Sequence, residues 1–195
     1  MVYSFTDLVK YQKIELLARQ LTDFKLSSLK FIAGTQILIG AGKENIRIFK
    51  LKNNYLPSQL ISLNNTARGK EFNNSCAGVF EGKKLQNFYV TTECGLLYFI
   101  NNVTRKVDKI LQLHDGSISA IFMTKKFALT ASRGGSVKLW GLDFGRLISE
   151  VQINQTIRSV DVNVHETEIS VLSDDGALSV LELDTSSFSM VMRSH

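Results

Sequence analysis

The sequence predicts an all-β chain folded as a β-propeller, incomplete as it stands, with about four four-stranded blades and part of a preceding one. Two observations carry this. Four segments of matching pattern recur: KENIRIFKL (43–51), CGLLYFIN (94–101), GSVKLWGL (135–142) and GALSVLEL (176–183). Their aligned positions, Phe49, Phe99, Trp140 and Leu181, are spaced 50, 41 and 41 residues apart. A period of roughly 40–45 residues with short strands is that of a propeller blade. The second observation is the apolar content of strands such as QILIGA and NFYVTT. A sheet with one wet face alternates, whereas a sheet stacked radially between two others is buried on both sides. A β-sandwich would give no fixed period.

The elements follow in order. Residues 1–27 read as the last two strands of a preceding blade or as an N-terminal extension, in which Ile14, Leu17, Ala18 and Leu21 also keep helical spacing. Blade 1 covers 28–64 and blade 2 covers 73–113. Blade 3 covers 117–153 and is the clearest. Ile118–Met123 alternates, Phe127–Ser132 leads to a turn at Gly134-Gly135, and Val137–Trp140 and Arg146–Val151 complete the four. Blade 4, 157–195, repeats the order around an Asp174-Asp175-Gly176 turn and ends where a further blade would begin. An open propeller would leave sheet faces and edges bare, so the expectation is a piece of a longer chain.

Bulk composition narrows the function classes. Apolar residues make up 44% and charged residues 21%, which suits a packed domain and not a disordered chain. No apolar run reaches the roughly 20 residues of a membrane span, and MVYSFTDLVKYQKIELL lacks the order of a signal peptide. A reducing, cytoplasmic setting is expected, with Cys76 and Cys94 as free thiols. The net charge of +5 and pI near 9.2 permit an acidic partner.

The stretch ILIGAGKENIRIF (37–49) raises the question of a nucleotide site. A phosphate loop needs Gly, four residues, then Gly-Lys-Ser/Thr and a helix. Here the first position is Ile37, Glu44 stands where the metal-binding hydroxyl belongs, and an alternating strand follows. The reading is a turn, with Gly40-Ala41-Gly42 bending the chain out of one strand and Lys43-Glu44-Asn45 entering the next. Catalysis finds no constellation either. His114, His165 and His195 are dispersed, with His165 on a polar hairpin tip, and there is no nucleophile elbow and no His/Cys cluster. The expectation is a non-enzyme without cofactor or metal.

At Trp140 the repeat resembles a family. SRGGSVKLWGLD looks like the strand-turn-strand core of a WD repeat, and Leu113-His114-Asp115 resembles its Gly-His start. The resemblance implies a hydrogen-bonded network of His114, Ser132 (or Thr130) and Trp140. The family's turn Asp is replaced by Arg133-Gly134-Gly135, and blade 4 has Leu181 for Trp, so these repeats lean on apolar packing. Three tracts in order sharpen the match: Leu21–Phe24 with AGKENIRIFKLKNNYLP (41–57), QLHDGSISAI with LWGLDFGRLISE (139–150), and LDTSSFSMVMRSH (183–195). They resemble the ciliary and centriolar family of WD repeat-containing protein ninety, known in algae as proteome-of-centriole protein sixteen. That resemblance implies a non-catalytic scaffold of doublet or triplet microtubules in the axoneme, centriole or basal body. Implied partners are tubulin or microtubule-associated ciliary proteins, besides the rest of its own chain. The alternative is a cytosolic WD-repeat adaptor in a trafficking, ubiquitin or RNA-associated complex.

Charge placement adds a candidate surface. Turns between the first and second strands, and between the third and fourth, emerge on one rim of a propeller. Lys83, Lys84, Lys125 and Lys126 fall in turns of the first kind, Arg105, Lys106 and Arg146 in the second, and Lys52 near the same place in blade 1. This basic rim would suit an acidic protein. Nucleic acid is disfavoured because stacking aromatics are too few, with Tyr55 and Phe144 as the candidates for exposure.

Overall fold

A computed structural model describes residues 2–4, 15–32, 35–77, 87–184, 186–187 and 189–192. Among these residues there are strands and turns and no helix. A two-stranded antiparallel sheet, β1 (Val2–Ser4) with β2 (Glu15–Ala18), comes first. Four four-stranded sheets follow. The first holds β3 (Leu26–Phe31), β4 (Ile37–Gly42), β5 (Asn45–Lys50) and β6 (Ser58–Leu60). The second holds β7 (Phe72–Ala77), β8 (Asn87–Thr92), β9 (Leu96–Asn101) and β10 (Val107–Gln112). The third holds β11 (Ile118–Met123), β12 (Ala128–Ser132), β13 (Ser136–Trp140) and β14 (Leu147–Gln152). The last holds β15 (Ile157–Val162), β16 (Glu168–Ser173), β17 (Leu178–Asp184) and β18 (Ser189–Met192). Every pairing is antiparallel between chain neighbours.

The first strands of successive sheets lie side by side, β3 with β7, β7 with β11 and β11 with β15. That is the radial arrangement of propeller blades, first strands innermost. Period-two alternation then sends each blade's two faces to different neighbours. In β8, Phe88 and Val90 join the cluster with blade 1, while Tyr89 between them joins the cluster with blade 3. In β12, Ala128 faces blade 2 whereas Leu129 and Ala131 face blade 4. Two-sided burial is why β8 runs unbroken from Phe88 to Thr92 with every residue buried. At roughly 1.5–3 kcal/mol for each large side chain fully buried, these inter-blade clusters outweigh any single polar contact.

The repeat positions agree in register. Phe49 pairs with Leu38, Phe99 with Tyr89, Trp140 with Ala128 and Leu181 with Ile169. All four are buried. Each innermost strand carries an irregularity at its second residue, between Leu26 and Ser28, Phe72 and Asn74, Ile118 and Ala120, and Ile157 and Ser159. The extra residue of such a bulge leaves the ladder and can point elsewhere. Two of them reach the next blade: Ser27 Oγ donates to Glu71 Oε1 at 2.7 Å, and Asn73 Nδ2 donates to the Ile118 carbonyl at 2.7 Å.

Two expectations change here. Gly40 and Gly42 do not bend the chain out of β4; the ladder continues to Gly42, opposite Asn45. They are glycines because neighbours crowd them: a Cβ on Gly40 would sit 2.8 Å from the Phe49 ring, and one on Gly42 2.0 Å from the Lys25 carbonyl oxygen. Phe144 is buried, not exposed, and packs between Tyr89 and Phe99 with ring centroids 5.3 and 5.7 Å away. The β1–β2 sheet packs Val2 and Ala18 against Leu38, Phe49 and Leu56 of blade 1.

Candidate functional site

The tight turn after each second strand organises its blade. Gly95, Gly135 and Gly176 all take positive φ, from 83° to 87°. At the first two there is also no room for a side chain, because a Cβ would fall 1.8 Å from the His114 carbonyl oxygen and 2.0 Å from that of Ile153. The closeness is functional: the carbonyls of Gly95 and Gly135 accept the N–H groups of Leu113 and Ile153, where the fourth strand leaves the blade. Gln112 and Gln152, equivalent residues at the ends of β10 and β14, add side-chain bonds. Gln112 Nε2 donates to the Cys94 and His114 carbonyls, and Gln152 Nε2 to that of Gly134. The same turn in blade 1 answers the phosphate question. Glu44 N donates to the Lys70 carbonyl, and Glu44 Oε1 accepts from Gly69 N at 2.6 Å, so the loop is committed to its own chain.

His114 leaves blade 2 and enters blade 3's polar network. Its Nε2 lies 2.8 Å from Thr130 Oγ1, and Trp140 Nε1 donates to the same oxygen at 2.8 Å. An indole N–H only donates, so Thr130 accepts from Trp140, its own proton is available for His114 Nε2, and the imidazole proton then belongs on Nδ1. The hydroxyl in this network is thus Thr130 and not Ser132. Ser132 lies two residues on, on the same strand face but beside the turn at Gly134. Burial holds the imidazole pKa down to about 4, Lys138 pushes the same way, and Glu150 and Asp115 oppose them. The ring is neutral at ordinary pH and buried in a polar staple.

Lys138 was missed by the sequence reading. Its Nζ donates to the Leu113 carbonyl at 3.0 Å, lies 3.8 Å from Glu150 Oε1 and stands over the Trp140 ring at 5.9 Å. Where the WD repeat's turn Asp is absent, this lysine pins the segment carrying His114. The signal was faint: a lysine between two buried apolar residues, in Val137-Lys138-Leu139.

The basic-rim residues fare differently from one another. Lys83 and Lys84 lie outside the described residues. Arg105 is half-buried, with its Nη1 donating to Asn102 Oδ1 at 2.6 Å and its guanidinium over the Phe88 ring at 5.8 Å. Burial lowers its pKa. Lys126 Nζ faces Glu166 Oε2 of the next blade at 3.9 Å. Lys106, Lys125 and Arg146 are exposed. Nothing in this set resembles a catalytic centre, and among the described residues no three His, Cys, Asp or Glu side chains gather as metal ligands would.

With this architecture in hand, the comparisons decide the family. A family model described as the WDR35 second beta-propeller matches residues 38–194. The chain belongs to that family. It is a WDR35-type propeller, and this four-blade match runs from β4 to past β18. It is also similar to Centriole proteome protein 16 of Chlamydomonas reinhardtii, 26% identical over 203 residues covering 94% of this chain and 10% of that protein. WD repeat-containing protein 90 of Xenopus tropicalis is 23% identical over 208 residues, 94% of this chain and 11% of that protein. The chain therefore spans about a tenth of the length of these relatives. Among solved structures, the WD40 β-propeller domain of Doa1 superposes with a TM-score of 0.70 at 15% identity, over 88% of this chain and 56% of that one. The computationally designed Ika4 protein gives 0.66 at 14%, over 87% and 99%. At those identities the two structures speak for the WDR35-type propeller's fold alone.

Proposed function

We propose that this propeller segment is a non-catalytic scaffold of ciliary and centriolar doublet or triplet microtubules, binding neighbouring proteins through its blade-tip loops. The observation that carries the reading is the alignment of 94% of the chain with Centriole proteome protein 16. The fold suits the role. Blades that share apolar clusters form a stiff arc, and loops on a rigid frame hold several partner surfaces in fixed positions. Exposed Lys106, Lys125 and Arg146 offer an acidic partner such as tubulin an attractive rim.

The test is localisation of the tagged full-length protein. Signal at axonemes or at centrioles and basal bodies is expected. A diffuse cytosolic signal would refute the reading and favour the adaptor role. The rim is tested separately by Lys106→Glu, Lys125→Glu and Arg146→Glu together in the full-length protein. Microtubule co-sedimentation at low salt should fall, and unchanged co-sedimentation would remove these residues from the contact.

A further inference from the structure

Between the outer edge of blade 1 and the β9–β10 turn of blade 2 lies an open cleft of about 250 Å³. Its floor is apolar, from Ile37 and Ile48, and its polar wall includes Ser58 of the edge strand β6. Three cations line it: Lys50, Lys52 and Arg105. No carboxylate is among its lining residues, and Lys50 and Lys52 make no ion pair among the described residues. Lys52 also lines a separate hollow of about 300 Å³ on the face of blade 1 turned toward β2, with Leu17, Leu51 and exposed Tyr55.

Like charges gathered around a cleft repel one another, and the half-buried Arg105 guanidinium has lost water while gaining, among the described residues, the Asn102 side-chain carbonyl and an aromatic face. An anion placed among them reverses both costs. β6 is the outermost strand of its sheet, and Ser58, Gln59 and Leu60 are all exposed. An extended chain alongside it would send alternate side chains toward the cleft. We infer that this cleft binds an extended, glutamate- or aspartate-rich peptide of a partner protein, its carboxylates meeting Lys50, Lys52 and Arg105. A single-stranded nucleic acid fits less well, because no aromatic side chain is among the cleft's lining residues and strand binders stack successive bases.

The inference deepens the scaffold reading by naming a partner's chemistry, and its assay does not depend on where in the cell the protein resides. Full-length protein is titrated into fluorescein-labelled hexaglutamate at low salt, with hexaglutamine and an oligothymidylate as parallel probes. Hexaglutamate should bind, hexaglutamine should not, and added salt should weaken binding. Lys50→Gln with Lys52→Gln should lower affinity on the order of tenfold, since each exposed ion pair contributes modestly. Both lysines are exposed, so folding should survive, and an unchanged melting temperature confirms it. An Arg158→Gln control, exposed on β15 of blade 4 and outside the cleft, should leave affinity unchanged. Absence of hexaglutamate binding, equal affinity in the double variant, or tighter oligothymidylate binding through the same lysines would overturn the inference.

Discussion

Acidification should expose the cost of keeping His114 neutral. In the folded protein its pKa is held down to about 4, against an ordinary value of 6.5, chiefly by burial and secondly by Lys138. The unfolded chain therefore takes up a proton below about pH 6.5 that the folded chain refuses until about pH 4. Stability must fall across that window as pH drops, and stay level with respect to this group above and below it. A gap of about 2.5 units at about 1.36 kcal/mol each gives on the order of 3 kcal/mol. Other groups titrate in the same range, so the measurement is a difference. Urea unfolding of the wild type and of His114→Gln is followed from pH 7 to pH 4. The wild type's advantage should shrink by about 3 kcal/mol over the series. Parallel pH curves for the two proteins would refute the reasoning, because they would mean that His114 titrates alike in both states.

Three further outcomes test the structure. Thr130→Val should cost about 2–4 kcal/mol, because it strands a buried indole N–H and a ring nitrogen, whereas Ser132→Ala should cost less than about 1 kcal/mol; denaturant midpoints compare them. Gly176→Ala meets open space and should lose about 1–3 kcal/mol for its positive φ alone. Gly135→Ala also drives a methyl into the Ile153 carbonyl and should lose more, or fail to fold. Lys138→Met removes a cation that depresses the His114 pKa and should move it toward 6.5, read as the midpoint of the ring-proton titration by NMR.

The blades were legible because two strong constraints acted together. Burial on both faces forces apolar runs, and the repeat fixes their spacing, so Phe49, Phe99, Trp140 and Leu181 could be aligned without coordinates. Contacts across blades were not legible. Thr130 and Ser132 sit on one face of β12, and only the position of His114, brought in by the preceding blade, selects Thr130. Phe144 looked like a loop aromatic because nothing local shows that Tyr89 and Phe99 of another blade close over it. Glycines 40 and 42 read as a bend because glycine usually marks one, yet here the crowding comes from Phe49 and from Lys25 of the neighbouring strand segment. Lys126 is exposed on its hairpin, but its counter-charge, Glu166, lies forty residues away in the next blade and was not legible locally.

The bulge residues have a consequence for how the arc yields under strain. Ser27 and Asn73 each cross from one blade to the next, and the equivalent Ser119 donates to the Ala131 carbonyl of its own blade. In a stacked array, cooperativity is set by the coupling between nearest neighbours. The junctions from blade 1 to blade 2 and from blade 2 to blade 3 carry a polar cross-stitch at the hub. At the junction from blade 3 to blade 4, the apolar cluster is joined by the Met190 amide donating to Ser149 at the outer edge and by Lys126 facing Glu166. Amide exchange of β7, β11 and β15 compared side by side reports how tightly each blade is held to the one before it.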